Sequence, residues 1–352
     1  MGKLVRCHST LGTNFSVNRR QFLRLAGSTV LATQLPVLAS SNQSPSTILK
    51  PSRLKIGDTV GLVSPASPVE KEDVNDFTQV LSKLGLKVKY GTHILKEYGY
   101  LAGQDANRAA DINAMFADTS VKALLTMGGG WGSNRILPLL DYDLIHQNPK
   151  IILGYSDITS LVLAIYTCSQ LVTFHGPMGT STWNPFSINY VQRILFNGEA
   201  AKLQNSFSTP VETITSGKAN GRLVGGNLSV LAAMVGSSYL PNWKNTILFV
   251  EDIGEDFYRI DRLLTQLKLA GILEQVSGFI FGKCTNCTEG DDGKPSLTLA
   301  QVLSDHIKPL GIPAWYGSMI GHVRDKFTVP VGVKVEIDAN KGIIKMLESA
   351  VI

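Results

Sequence analysis

What the sequence lacks narrows the reading first. It has no uninterrupted run of about twenty apolar residues, the length a membrane-spanning helix needs. Cysteine is scarce, four in 352 residues, which excludes a disulfide-built scaffold. Charge of one sign is missing once the N-terminus is set aside. Residues 1–39 carry Lys3, Arg6, Arg19, Arg20 and Arg24 and no acid. Removing these five from the 33 basic residues leaves 28 against 28 acids. A neutral chain gives no electrostatic footprint for nucleic acid. The one glycine-rich loop, Gly128-Gly129-Gly130-Trp131-Gly132-Ser133, fits neither phosphate-binding signature. Its spacing runs Gly, x, Gly and then Ser133, with no clear ribose-binding acid downstream, and no Gly-Lys-Ser/Thr follows.

The N-terminus itself is informative. Twin Arg19-Arg20, then Phe22-Leu23-Arg24 and a weakly apolar stretch from Leu25 to Leu38, resemble a twin-arginine export signal. Val37-Leu38-Ala39 offers the small-x-small pattern of a signal peptidase site. The expectation is a periplasmic or otherwise exported protein whose precursor meets the twin-arginine machinery. Among the remaining cysteines, Cys168 reads as a core residue of an apolar helix. Cys284-Thr285-Asn286-Cys287 is a single CxxC without a second pair or nearby histidine, so no metal site is expected. Because twin-arginine substrates fold before export, its thiols are expected to be incidental loop residues.

After a Ser-, Asn- and Pro-containing leader, short apolar strands alternate with helically spaced segments. Strands are expected at 59–63, 86–90, 121–127 and 150–153, then at 171–174. Helices are expected at 69–84 and 105–116, with another beginning at 134–140. This order predicts an α/β protein with a doubly wound parallel sheet, which binds ligands beyond its strands' carboxyl ends. The stretch 183–217 loses periodicity and reads as a crossing. A second part follows, with strands near 221–228, 246–250 and 276–282, and helices at 229–235 and 258–269. The stretches 325–330 and 333–338 read as a terminal hairpin or meander. The expected division is 1–39 export signal, 40–54 leader, 55–182 first domain, 183–217 crossing and 218–352 second domain.

Ser156 stands where an apolar strand, Ile151-Ile152-Leu153, turns through Gly154 into a helically patterned segment. A serine at such a junction has the geometry of a nucleophile elbow. Taken alone, Ser156 or Asp157 is more simply a helix cap; the usual elbow has Gly where Ile158 stands. The glycine loop offers backbone N–H groups able to hold an oxyanion. A serine nucleophile also needs a base and a group that orients it. Glu251 emerges from a buried strand, where an acid is costly unless paired. His322 lies in a loop before the last strands, whereas His93, His146 and His306 read as solvated or helical. His175, beside Gly-Pro, reads as structural or substrate-lining. Ser156, Glu251 and His322 fall in one of the orders in which triads occur.

Several ordered motifs then resemble the LD-carboxypeptidase family of serine peptidases, which includes murein tetrapeptide carboxypeptidases and microcin C self-immunity peptidases. They include Val63-Ser64-Pro65-Ala66, Gly99-Tyr100-Leu101-Ala102-Gly103 and Gly129-Gly130-Trp131-Gly132-Ser133. Further on come Gly154-Tyr155-Ser156-Asp157, His175-Gly176-Pro177, Gly225-Gly226-Asn227, Glu251-Asp252-Ile253-Gly254-Glu255 and Gly321-His322. The resemblance implies a doubly wound N-terminal domain, a swivelling C-terminal β/α domain and a site at their interface. It implies Ser156 as nucleophile, His322 as general base and Glu251 as orienting acid. Backbone N–H groups of Gly130 and Asp157 would hold the oxyanion. Trp131, Asn227 and Arg259 are the expected substrate contacts, while Arg135, Arg222, Arg259 and Arg324 all qualify by charge to receive a terminal carboxylate. The implied reaction releases D-Ala from a muropeptide, without cofactor or metal, in a protein that can be a homodimer. The same scaffold also suits a microcin-type peptide-nucleotide hydrolase or an exported peptide-binding protein. One departure stands out: murein-cleaving members commonly carry Arg where this chain has Gly128.

Overall fold

The computed structural model describes residues 48–290 and 295–352. The expected export signal, and most of the leader after it, lie outside the described residues.

The first half alternates as its periodicity predicts. In chain order it runs β1 (Thr59–Val63), α1 (Lys71–Lys83), β2 (Lys87–Tyr90), α2 (Asp105–Ala117) and β3 (Val121–Thr126). Then come α3 (Tyr142–Gln147), β4 (Ile151–Gly154), α4 (Thr159–Ser169) and β5 (Thr173–His175). Helix α1 buries Val74, Phe77 and Leu81, the i, i+3, i+7 stripe. It stops at Gly85, whose φ of +78° a side chain would resist. The Leu86 N–H then closes onto Leu81 O. Fully burying one such side chain contributes about 1.5–3 kcal/mol, so the stripe alone fixes which face α1 presents. The segment expected to begin a helix at 134 is instead a 3₁₀ helix, Ser133–Leu139. Pro138 inside it lacks the N–H that an α-helical turn would use.

The second half supplies α5 (Pro185–Val191), β6 (Lys202–Gln204), β7 (Glu212–Thr215), β8 (Lys218–Asn227) and α6 (Leu228–Ala233). It continues with β9 (Thr246–Ile253), α7 (Phe257–Leu269), β10 (Gly278–Thr285), α8 (Leu299–Ile307) and β11 (Ala314–Tyr316). The chain closes with β12 (Val329–Val331), β13 (Lys334–Asp338) and β14 (Ile343–Met346). Two sheets result. The first has order β12-β5-β4-β3-β1-β2, and the second β6-β14-β13-β8-β9-β10-β11-β7. In the first, every pairing is parallel except that of β12 with β5.

The stretch 183–217, expected as a crossing, carries α5 and two edge strands of the second sheet, β6 and β7, too short to show a period. One expectation is corrected. The terminal hairpin is displaced, because 325–330 and 333–338 do not pair with each other. Strand β12 crosses back to the first sheet, while β13 pairs with β8 and makes its hairpin with β14. Between them Gly332 has φ +99°, and a Cβ there would stand 2.3 Å from the Tyr166 ring. The redirection therefore depends on a glycine.

Candidate active site

Strand β4 delivers Ser156 at the carboxyl edge of the first sheet. Its backbone has φ +63°, a left-handed conformation that non-glycine residues adopt only when their surroundings impose it. Gly154 makes this possible: a Cβ there would lie 2.3 Å from Thr126 Oγ1 and 2.7 Å from Ile158 Cγ2. The elbow thus has its small residue two places before the serine, and Ile158 fills the space after it. The cap interpretation is corrected. Helix α4 begins without a side-chain cap. The Asp157 carboxylate instead accepts from the Ser133 N–H at 2.8 Å, while Ser133 Oγ donates to Asp157 O at 2.5 Å.

Those bonds tie the elbow to the glycine loop. Gly129 packs so closely that a Cβ would sit 2.8 Å from Ser156 Cβ and 2.9 Å from its Oγ. The same point lies 3.4 Å from the Asp157 nitrogen. Gly130, at φ +102°, would drive a side chain into Ser67, whose N–H holds Gly129 O at 3.2 Å. The Gly130 and Asp157 amides therefore belong to one compact loop pair beside Oγ. Sequence reasoning missed the residue that clamps it. Arg108 is fully buried in α2 and donates to Gly132 O at 2.9 Å, to Pro65 O and to the Asp105 carboxylate. A Gly129→Ala enzyme should fold but lose about 100-fold in kcat, since displacing a nucleophile by about 1 Å costs that much. Steady-state kinetics beside a thermal melt checks it.

The other half comes from the second sheet. Strand β9 carries Glu251 into the contact, with no exposed surface. His322, in the loop after β11, places Nδ1 2.7 Å from Glu251 Oε2 and Nε2 3.0 Å from Ser156 Oγ. The three predicted residues form one hydrogen-bonded chain across the two sheets. Gly321 is required there, for a Cβ would collide with Glu251 Oε2 at 2.3 Å. Burial pushes the Glu251 carboxyl up, but His175 and His322 outweigh it and hold the group down at about 2. Its neighbour Asp252 is driven up to about 6 by burial and then by Glu251. Close docking of the sheets is built in as well. Gly226 of β8 lies so near Thr159 that a Cβ would approach within 2.5 Å, and the Asn227 N–H donates to Thr159 Oγ1 at 2.8 Å.

The expected substrate contacts fare unevenly. Trp131 is half exposed beside the loop. Asn227 is buried with both ends of its amide engaged: Nδ2 donates to Asp252 Oδ1 at 3.0 Å, and Oδ1 accepts from the Val230 N–H at 3.1 Å. Its immediate work is to join β8 to β9. Arg259 lies near Glu255 and Asp256, Arg135 forks onto Asp105, and Arg222 donates to Gly332 O. Arg324 faces a cavity of about 560 Å³, shared with Asn184, Phe186, Lys283 and Met319, and Arg222 borders another, of about 430 Å³. A cation absent from the sequence reading lies closer to the triad. Lys326 is buried with its ammonium 4.7 Å from the Tyr155 ring centroid, and that ring stands 4.9 Å from His322.

The CxxC expectation is corrected too: Cys284 and Cys287 form a disulfide. Asn286 turns the chain at φ +54°, bringing the two Cα atoms to 5.5 Å, within disulfide range. The bridged loop supports the site, because Thr285 Oγ1 donates to His322 O at 2.9 Å. Reduction should cost about 2 kcal/mol for so small a loop and lower the melting temperature. Calorimetry with and without a dithiol reductant, using Cys284→Ser/Cys287→Ser as reference, checks this. Among the described residues no cluster of histidine, cysteine and carboxylate side chains suits a metal ion.

With this geometry in place, the comparisons with known proteins decide the family. Residues 60–176 match the LD-carboxypeptidase N-terminal domain and residues 220–337 its C-terminal domain. The chain belongs to the LD-carboxypeptidase family. It is 40% identical over 292 residues to a probable murein peptide carboxypeptidase of Bacillus subtilis (strain 168), covering 82% of this chain and 91% of that one. The microcin C7 self-immunity protein MccF of Escherichia coli is 32% identical over 336 residues, covering 84% and 94%. Among solved structures, MccF in complex with aspartyl sulfamoyl adenosine superposes with a TM-score of 0.79 at 29% identity, over 86% of this chain and all of the other. Muramoyltetrapeptide carboxypeptidase from Oxalobacter formigenes gives a TM-score of 0.71 at 28% identity, over 82% and 97%. The two-domain LD-carboxypeptidase fold and membership among peptidases are thereby established for this chain.

Proposed function

We propose that the protein is a serine-type L,D-carboxypeptidase that releases the terminal D-Ala of a murein tetrapeptide through an acyl-enzyme. The observation that carries this is the continuous hydrogen-bonded chain Ser156–His322–Glu251, closed at 3.0 and 2.7 Å. Neutral His322 takes the Ser156 proton at Nε2 as Oγ bonds to the scissile carbonyl carbon. The carbonyl oxygen becomes an oxyanion, to which the Gly130 and Asp157 N–H groups donate. Ionised Glu251 stabilises the imidazolium that forms. The imidazolium then gives its proton to the leaving amine, the C–N bond breaks, and D-Ala departs. Water, deprotonated by His322, cleaves the ester and restores Ser156.

A second reading, hydrolysis of a microcin-type peptidyl nucleotide, is favoured by the fit to MccF and by Gly128. A Cβ at 128 would meet Val69 and Thr180 at ordinary contact distances of 3.6 Å or more, so an arginine there is absent without any steric demand. The two readings separate when one enzyme preparation is given murein tetrapeptide, its all-L diastereomer and aspartyl sulfamoyl adenosine. Higher kcat/KM on the tetrapeptide than on the other two supports the first reading. Preference for the nucleotide replaces it with the second. Loss of neither D-Ala nor nucleotide, with tight peptide binding retained, leaves an exported binding protein.

Export through the twin-arginine pathway is part of the proposal. Arg19→Lys/Arg20→Lys should leave the uncleaved precursor in the cytoplasm; immunoblots of cell fractions read the outcome.

A further inference from the structure

Glu251 uses one carboxylate oxygen on His322, and the other faces a residue that the triad leaves out. His175, at the end of β5, is 1% exposed. Its Nε2 stands 3.6 Å from Glu251 Oε1, slightly beyond hydrogen-bond length. Neither atom has another hydrogen-bond partner among the described residues, and both are buried. A buried carboxylate oxygen and a buried imidazole nitrogen, each unsatisfied, are costly apart and complementary together. The ring is held in place by its neighbours. It packs edge-on to Phe249 at 5.4 Å and to Tyr155 at 5.9 Å, and its backbone is paired between β4 and β12. His175 therefore reaches from the sheet that carries Ser156 to the acid carried by the other sheet.

We infer that His175 is a positioning residue: its Nε2–H holds the free oxygen of Glu251, so that the other oxygen stays aimed at His322 Nδ1. This rests on the reading of Ser156, His322 and Glu251 as a catalytic chain. A small movement of the ring or the carboxylate toward the other brings this contact within hydrogen-bond length. Other groups facing Glu251 are Lys326, whose charge favours the ionised form, and Asp252, whose charge opposes it. Tyr155 packs against both imidazoles. His175 is the group among these that can donate to Oε1 across the sheet boundary, and it couples the alignment of the acid to the docking of the two sheets.

The test compares kcat/KM against pH for wild type, His175→Leu and His175→Gln. Leucine keeps the volume but removes the donor; glutamine returns an N–H near Nε2. Without the donor, Glu251 is the stronger base and binds the His322 proton more tightly. This displaces the acidic limb of the profile to higher pH, by about one unit. His175→Leu should also lose up to about 100-fold in kcat with KM little changed. His175→Gln should recover most of both. A filling role alone would scale activity down at every pH and leave the limb where it was, which overturns the inference. A second measurement needs no core substitution. In ¹⁵N-histidine-labelled wild type, the His175 signal should show a proton on Nε2; an unprotonated Nε2 overturns the inference. Ser156→Ala, run alongside, separates the two ideas. If it stays active, the catalytic chain itself is wrong; if it is inactive while the His175→Leu limb coincides with wild type, only the role of His175 fails.

Discussion

Ser156→Ala is expected to lower kcat on the preferred peptide by about 10⁶-fold while leaving KM and the fold intact, as seen when serine-peptidase nucleophiles are removed. The size follows from what the residue does. In the proposed mechanism Oγ, already 3.0 Å from His322 Nε2, converts amide hydrolysis into two easier steps, and alanine offers no atom to form the ester. The residual rate should exceed the uncatalysed one by about 10³–10⁴-fold, because the amides proposed to receive the oxyanion, those of Gly130 and Asp157, are unchanged. Folding should not suffer. The serine occupies a φ of +63°, among the described residues its Oγ is bonded to the histidine alone, and alanine tolerates that backbone no worse than serine. Progress curves at high enzyme concentration, with circular dichroism of the same sample, measure both halves.

Glu251→Gln should rank second, with a loss of about 10⁴-fold in kcat. The substitution preserves volume in a site that has no exposed surface. What it removes is the anion. An ionised carboxylate accepts from His322 Nδ1–H and so fixes the tautomer that leaves Nε2 free for the serine proton. A glutamine amide can turn its NH₂ toward Nδ1, selecting the opposite tautomer, and it cannot stabilise imidazolium. Because Glu251 is held at about 2, wild type keeps the anion throughout the neutral and mildly acidic range, so its removal should be felt across that whole range. The sign for stability follows from the same depression. A carboxyl lower in the folded state than its ordinary 4.5 contributes stability above that value and loses it as pH falls toward about 2. The wild type should therefore lose stability over that window relative to Glu251→Gln, which acid melts of the two proteins can resolve.

Much of this was legible in the sequence, for identifiable reasons. Long periodic segments such as 71–83 and strand cores such as 121–126 announce themselves because one face must be buried. Ser156, Glu251 and His322, which the structure joins by hydrogen bonds, were legible because each sits at a strand end or glycine-flanked loop where a polar group needs a purpose. Other features were hidden because they arise only in three dimensions. Arg108 reads as an ordinary helical arginine until α2 is laid against the glycine loop. His175 reads as a structural or substrate-lining residue, with no link to Glu251, until β5 meets the end of β9. Lys326 gives no signal in a segment of mixed polarity, yet it packs on Tyr155. The return of β12 to the first sheet depends on Gly332, which no local pattern distinguishes from a hairpin turn. The disulfide is hidden because a lone CxxC fixes no backbone conformation, and only the turn at Asn286 brings the two cysteines together.

One feature of the elbow explains why its sequence signature is weak. The close packing that usually asks for glycine after the serine is here met by Gly154 before it, with Ile158 buried behind. A pattern search centred on the later glycine passes over Ser156, although the backbone strain is the same.

The central claim is that Ser156 is the nucleophile of a peptidase that removes a terminal D-residue. Purified murein tetrapeptide is incubated with wild type and with Ser156→Ala, and the products are weighed by mass spectrometry. The account predicts tripeptide and free D-Ala from the wild type and intact tetrapeptide from the variant. Release of D-Ala at comparable rates by both, or intact tetrapeptide with both, would contradict it.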